Sequence, residues 1–148
     1  MLVLFYSISS PSIINSSRGE VVDASALLQA LEEGKVKDAI IDTWEGEPDI
    51  SLELLQKVFV GTPHIAGYSA DGKANATRMS LEAFCQYFGK TAEFSIVPPA
   101  LPEKTYSENP EKAYLEVYNP MEDSARLKEN PEKFEWLRGN YPLRREFL

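Results

Sequence analysis

Asp38-Ala39-Ile40-Ile41-Asp42-Thr43-Trp44-Glu45-Gly46-Glu47-Pro48 is the stretch that decides the fold. Ala39, Ile40 and Ile41 follow one another with no polar residue between them. A strand with one wet face would alternate, so this run reads as a strand covered on both faces, the kind found in parallel sheets. The acids that follow, interrupted by Pro48, form a turn.

Outward from that strand the same grammar repeats. Upstream, Ile13-Ile14-Asn15 ends another buried strand and Arg18-Gly19 makes a turn. Asp23 is a suitable N-cap for a helix over Ala24 to Glu33, with Leu27, Leu28 and Leu31 on one face and Gly34 as its stop. Downstream, Ser51 to Lys57 reads as a helical turn carrying Leu52, Leu54 and Leu55. Val58-Phe59-Val60 reads as a third strand, ended by Gly61 and Pro63. A longer helix is expected from Ala70 to Phe88, with Thr77, Leu81, Phe84 and Phe88 on one stripe and Gly89 after it. Strands alternating with helices in this way indicate an α/β doubly wound, Rossmann-like parallel sheet.

The composition shifts at Val97-Pro98-Pro99-Ala100-Leu101-Pro102, a stiff linker. The boundary falls there, with residues 1–97 in the α/β domain and residues 98–148 forming the linker and a small α+β module. In that module Ala113 to Tyr118 alternates as a strand would, Asn119-Pro120 is a turn, and Met121 to Glu129 is a candidate helix. Asn130-Pro131 opens a further helix with Pro at its first position and Phe134 and Leu137 on its apolar side. The tail, Arg144-Arg145-Glu146-Phe147-Leu148, mixes charge with aromatic surface.

Bulk properties exclude several classes. The 148 residues carry a net charge of −8, the opposite of the basic face that a nucleic-acid binder needs to displace counterions. A 43% hydrophobic fraction is too high for a disordered chain. The apolar start, Met1-Leu2-Val3-Leu4-Phe5-Tyr6-Ser7-Ile8, has no basic residue before it and is too short for a signal peptide or a membrane span. Cys85 is the single cysteine, which precludes an internal disulfide and fits a reducing cytoplasm. Its place in an apolar helical run reads as a buried structural thiol.

Three segments stand where parallel strands end: Asn15-Ser16-Ser17-Arg18-Gly19, Asp42 to Pro48, and Thr62-Pro63-His64-Ile65-Ala66-Gly67-Tyr68. In open α/β sheets the ligand crevice lies outside the carboxyl ends of the strands. One arginine, two acids and the sole histidine of the chain would meet there. That set suits oxidation of a hydroxyl next to a carboxylate. A neutral histidine takes the hydroxyl proton near neutral pH. A carboxylate beside a histidine favours its protonated form and fixes its tautomer. A guanidinium grips the substrate carboxylate with two hydrogen bonds. Because no side chain accepts hydride, a cofactor must. Each residue also has a plainer role open to it. His64 can be a satisfied loop residue, Arg18 a surface cation, Asp42 a cap, Glu47 a solvated loop acid, and Trp44 and Tyr68 packing.

In order and spacing, the three segments together resemble the signature of the D-isomer-specific 2-hydroxyacid dehydrogenases. The resemblance runs from Ile13 nearly to the end of the chain. It implies that Arg18 binds the substrate carboxylate, that Glu47 is the acid paired with His64, and that His64 exchanges the proton. It implies NAD as cofactor, touched by Ser16, Ser17, Arg18, Asp42 and Gly67, with Tyr68 on the substrate; no metal is implied. Trp44-Glu45-Gly46-Glu47-Pro48 and His64-Ile65-Ala66-Gly67-Tyr68 with Gly72-Lys73-Ala74 are similar to members acting on a phosphorylated 2-hydroxy acid. Those members carry an extra C-terminal dimerisation domain. Tyr118-Asn119-Pro120, Phe134-Glu135-Trp136-Leu137-Arg138, Asn140-Tyr141 and Arg144-Arg145-Glu146 resemble that domain, which implies a homodimer. Rival readings are a member acting on glycerate, phosphoglycerate or lactate, or a dimerisation or interaction fragment without catalysis.

The chain departs from the family in two respects. It has no G-x-G-x-x-G, the loop whose amides cradle the NAD pyrophosphate, and residues 1 to about 11 do not resemble the usual approach to the Asn15 strand. The doubly wound sheet is therefore expected to be partial and the reading frame shortened. Its outer strand would have an open edge, the sheet would lack covering helices, and the isolated chain would lack dehydrogenase activity.

Overall fold

The computed structural model describes residues 2–6, 11–100 and 106–146, the first five by backbone alone. A four-stranded sheet is its centre, with β1 (Leu2–Tyr6), β2 (Pro11–Asn15), β3 (Asp38–Ile41) and β4 (Val60–Gly61) in that spatial order. β2, β3 and β4 are parallel, with Ile14 opposite Ile40 and Ile41 opposite Gly61. The open edge expected beside β2 is occupied: β1 pairs with it antiparallel, Leu4 opposite Ile13. Apolar β-formers at Leu2 to Tyr6 supply a strand whose amides and carbonyls meet those of β2. Met1, Ser7 and Ile8 of the apolar start lie outside the described residues.

Two helices bind the parallel strands into crossovers. α1 (Ala24–Glu32) follows β2 and is capped by Asp23, whose carboxylate accepts the Ala26 amide at 2.8 Å. Gly34, at φ +70°, turns the chain out of α1. α2 (Leu52–Lys57) is capped by Ser51. Its last turn runs through Val58, whose amide still bonds the Leu54 carbonyl, so of the expected strand Val58–Val60 only Val60 pairs, and β4 extends instead to Gly61.

Under one face of the sheet, Leu27, Val36, Ala39, Ile41, Trp44, Leu54, Leu55 and Val58 form the core. Truncating a fully buried residue such as Leu55 to alanine costs about 2–5 kcal/mol by the usual behaviour of such sites. The other face is open as expected. Ile14, Ile40 and the exposed Phe59 line a shallow groove there with Ser12 and Asp38.

The chain forms two compact units, one of Met1–Ala66 with Asn119–Tyr141, the other of Gly67–Tyr118 with Pro142–Leu148. Residues 98–148 thus contribute to both. In the first unit, α5 (Pro120–Glu129) and α6 (Phe134–Gly139) follow the sheet, and Leu127 and Phe134 enter its core. The second unit holds α3 (Ala70–Tyr87) and α4 (Pro110–Val117). α4 corrects the strand expected over Ala113 to Tyr118. The Asn109 side chain accepts the Glu111 and Lys112 amides and Pro110 takes the first turn, so a capped helix start prevails over local alternation. After the linker the regular elements are helices, among the described residues.

The apolar stripe on α3 is exposed, Phe84 at 61% and Phe88 at 55%, and Cys85 is half-buried where a buried thiol was expected. Leu101 and Pro102 of the linker and Phe147 and Leu148 of the tail lie outside the described residues. No helix of the described residues is long and apolar enough to cross a membrane.

Candidate active site

β2, β3 and β4 all deliver their carboxyl ends to the same edge of the sheet, as parallel strands must. Asn15, the last residue of β2, is 1% exposed and holds two loops together. Its amide donates to the Arg18 carbonyl at 3.0 Å and the Thr43 carbonyl at 3.2 Å, and its oxygen accepts the Ser17 amide at 3.1 Å. The Arg18-Gly19 turn then lies directly on the loop after β3. A Cβ at Gly19 would stand 2.0 Å from the Trp44 carbonyl oxygen, so only glycine permits this approach. Ser16 and Ser17 sit within the turn. Arg18 is exposed, and its Nη1 donates to the Ser17 carbonyl at 2.8 Å.

Asp42, just past β3, is buried. One carboxylate oxygen accepts the Thr62 hydroxyl at 2.6 Å and the Ile65 amide at 2.8 Å, and the other accepts the Ala66 amide at 3.0 Å. The Asp42 carbonyl accepts the His64 amide at 2.9 Å. One side chain therefore shapes the whole turn after β4. A carboxylate has about four lone-pair sites, so the oxygen facing Ala66 retains capacity for another donor. His64 stands in this turn at φ +55°, a left-handed conformation uncommon for residues with a Cβ and most often seen where function or packing holds it.

The His64 ring meets Glu47. Nδ1 lies 2.8 Å from Glu47 Oε2, with both side chains at most one quarter exposed. Glu47 Oε1 accepts the Trp44 amide at 2.7 Å, which fixes the carboxylate plane. Because a carboxylate only accepts, Nδ1 carries the hydrogen, and the neutral ring is left with Nε2 as its acceptor. Trp44 is core, as its plainer reading had it, and its indole NH donates to the Thr62 carbonyl at 2.9 Å, tying the Glu47 loop to the His64 turn. Arg18, Asp42, Glu47 and His64 thus all belong to the first unit, and three of the four are linked by hydrogen bonds around one turn.

Gly67 and Tyr68 begin the second unit. A Cβ at Gly67 would meet no protein atom within 4 Å. Tyr68 is half-buried, with the Lys73 ammonium 4.0 Å above its ring. Ser69 caps α3 through the Gly72 amide. The tail is bound there too: Arg145 grips Asp71 with two hydrogen bonds of 2.7 and 2.8 Å, and the Glu146 amide adds a third. Arg145 first, then the Glu146 amide, hold the Asp71 carboxyl down to about 2.

Sequence reading passed over Asn15, Gly19 and Thr62 as site residues. All three stood in quoted motifs, but the partners of the first two, Thr43 and Trp44, become visible only once the strands are paired. Thr62 offered only the habit of polar residues following a strand.

Residues 9–66 match the family model described as D-isomer specific 2-hydroxyacid dehydrogenase, NAD binding domain. Residues 96–148 match a model described as a domain of unknown function. Among curated relatives, the erythronate-4-phosphate dehydrogenase of Bacteroides thetaiotaomicron is 59% identical over 138 residues, covering 92% of this chain and 39% of that protein. The proteins of the same name from Porphyromonas gingivalis and Marinobacter nauticus are 43% and 39% identical, covering 92% and 90% of this chain and 39% and 40% of their own lengths. The chain thus spans about two fifths of the length of the relatives it matches. Through residues 9–66 it is similar to the NAD-binding domain of the D-isomer specific 2-hydroxyacid dehydrogenases, and over about nine tenths of its length it is similar to a C-terminal portion of proteins named erythronate-4-phosphate dehydrogenase.

Proposed function

We propose that this chain supplies the acid–base half of an NAD-dependent dehydrogenase site that oxidises 4-phospho-D-erythronate to its 2-oxo acid, on the route to pyridoxal phosphate. The observation that carries the reading is the 2.8 Å contact between His64 Nδ1 and Glu47 Oε2. It leaves Nε2 as a proton acceptor and sets a negative charge behind the ring.

Three residues divide the work. His64 Nε2 takes the hydroxyl proton of the substrate as the carbon–oxygen double bond forms, and returns it in reduction. Glu47 stabilises the imidazolium that results and keeps the ring in the productive tautomer. Arg18, once a carboxylate arrives, exchanges its bond to the Ser17 carbonyl for two to the substrate, which orients the reacting carbon. Tyr68 contributes a further substrate contact.

The residues at the carboxyl ends of β2 and β3 fit the nicotinamide end of NAD. The Ser16 and Ser17 hydroxyls, Arg18 and the spare acceptor capacity of Asp42 are the polar groups that an amide and a ribose require. Gly67 keeps its neighbourhood clear of side chain where the protein itself does not demand it. NAD, when bound, supplies the hydride acceptor that no side chain can be. The setting that goes with this reading is a cytoplasmic homodimer joined through residues 98–148, the linker and dimerisation domain, behind residues 1–97, the C-terminal half of an NAD-binding Rossmann-like domain with the helix that follows it.

A graft tests the proposal. The 148 residues replace the matching segment of the Bacteroides thetaiotaomicron relative, and NADH formation is followed with 4-phospho-D-erythronate. Turnover is expected, and a His64→Asn version should lose about 10²–10⁴-fold, the usual contribution of acid–base catalysis. A folded graft without turnover, or one indifferent to His64→Asn, would refute the proposal.

A further inference from the structure

The helices matched to a domain of unknown function reach back to the strand that ends in the catalytic turn. β4 is the outer parallel strand, and no further strand pairs with its free side among the described residues. α5 lies there instead. The Ser124 Oγ, in a side chain 2% exposed, accepts the Gly61 amide at 3.0 Å. The Lys128 ammonium donates to the Val58 carbonyl at 2.6 Å, and the Gln56 amide donates to the Lys128 carbonyl at 3.1 Å. Three hydrogen bonds between one helix and this segment thus hold the end of α2 and Gly61 of β4. A partner strand would supply such bonds through its backbone; here a helix supplies them largely through side chains.

What they hold has little freedom. A Cβ at Gly61 would come within 2.8 Å of both Leu55 and Trp44, so the backbone there is pressed against the core. The next residue, Thr62, is bonded through its hydroxyl to Asp42 and through its carbonyl to the Trp44 indole. Two residues further on, His64 sits in its left-handed conformation opposite Glu47. A displacement of Gly61 therefore passes through Thr62 to both sides of the His64–Glu47 pair.

We propose that Ser124 is a positioning residue for His64: α5 takes the place of a sheet strand, and its hydroxyl fixes the register of β4 from which the catalytic turn departs. The module that follows the NAD-binding domain thereby has a part in the dehydrogenase site of its own chain. This rests on the reading of His64 and Glu47 as the acid–base pair. Loss of the Ser124 hydroxyl leaves the Gly61 amide buried without an acceptor, a costly state that the chain relieves by moving the strand end.

The tautomer of His64 reports the consequence and belongs to no other residue, because the chain contains one histidine. Imidazole ¹⁵N and ¹³C shifts at pH 8 give the ratio of Nδ1–H to Nε2–H forms in the 148-residue chain. The Nδ1–H form should dominate in the native protein, and Glu47→Gln should abolish that dominance. Ser124→Ala and the volume-keeping Ser124→Cys should each lower the ratio about fivefold, the equivalent of one net hydrogen bond. Leu27→Ala, a core change that removes none of these hydrogen bonds, should lower the melting temperature and leave the ratio unchanged. If either Ser124 variant is too unstable to measure, the other decides. An unchanged ratio in the Ser124 variants beside a collapsed one in Glu47→Gln would overturn the role of Ser124 alone. A ratio that falls equally in Leu27→Ala would overturn it as mere loss of stability. An unchanged ratio in Glu47→Gln would instead sink the acid–base pair, and this proposal with it.

Discussion

Replacing Asp42 by asparagine should destabilise the protein in the absence of any cofactor. The carboxylate accepts three hydrogen bonds, from the Thr62 hydroxyl and the Ile65 and Ala66 amides, in a side chain 5% exposed. Asparagine keeps one oxygen, which can go on serving Thr62 and Ile65. Its NH2 group then faces the Ala66 amide, donor against donor. The part-buried Ala66 donor, deprived of this acceptor, costs about 1 kcal/mol, and the two surviving bonds lose their charge assistance, worth about 0.5–1 kcal/mol each. The sum is about 2–3 kcal/mol, or a fall of about 4–12 °C in melting temperature for a chain of this size. Asp42→Ala, which strands all three donors, should cost about twice as much. Urea unfolding followed by tryptophan fluorescence measures both, since Trp44 reports on the same loop. If Asp42 served only to touch a ligand, the ligand-free protein would not notice its loss. A cost below about 0.5 kcal/mol, the level of an ordinary surface change, would refute the reasoning.

Other consequences are checked more simply. Gly19→Ala forces a Cβ to within 2.0 Å of the Trp44 carbonyl, so the β2 and β3 loops must separate. A cost of about 3 kcal/mol or more is expected, read as a lowered melting temperature and shifted Ser17 and Thr43 resonances. The Asp71–Arg145 pair gives stability with a definite sign in pH. The folded Asp71 carboxyl is held at about 2 against an ordinary value of 3.8, so its contribution is complete above about pH 4 and disappears as pH falls from 4 to 2. Arg145→Ala should return the Asp71 midpoint, followed by carboxyl ¹³C shifts, towards its ordinary value.

The parts of the fold that rest on local rules were legible in the sequence. The unbroken Ala39-Ile40-Ile41 gave away a parallel strand, Asp23 and Gly34 bounded α1, and the three strand-end motifs located Glu47 and His64, which the fold brings to 2.8 Å. What escaped depended on distant partners or on competition between local signals. Nothing near Ala113 to Tyr118 reveals that the Asn109-Pro110 cap outranks the alternation that follows it. The open edge expected beside β2 was closed by Leu2–Tyr6, whose pairing is a matter of backbone and leaves little mark in side-chain pattern. The helix Pro120–Glu129 was visible, but its Ser124 hydroxyl bonds an amide 63 residues earlier, and such an attachment has no local signature. Sequence motifs thus pointed to the candidate site residues, while the groups that hold them in place came from tertiary packing.

The account stands or falls on whether His64 and Glu47 act as one unit. In the graft described above, NADH formation should be compared for His64→Asn, Glu47→Gln and the double variant. With the ring held by the carboxylate at 2.8 Å, removal of the histidine leaves Glu47 nothing to act through. The double variant should therefore be no slower than His64→Asn alone, within about threefold. A double variant slowed by the product of the two single effects would show that the two residues act independently, and would contradict the central claim.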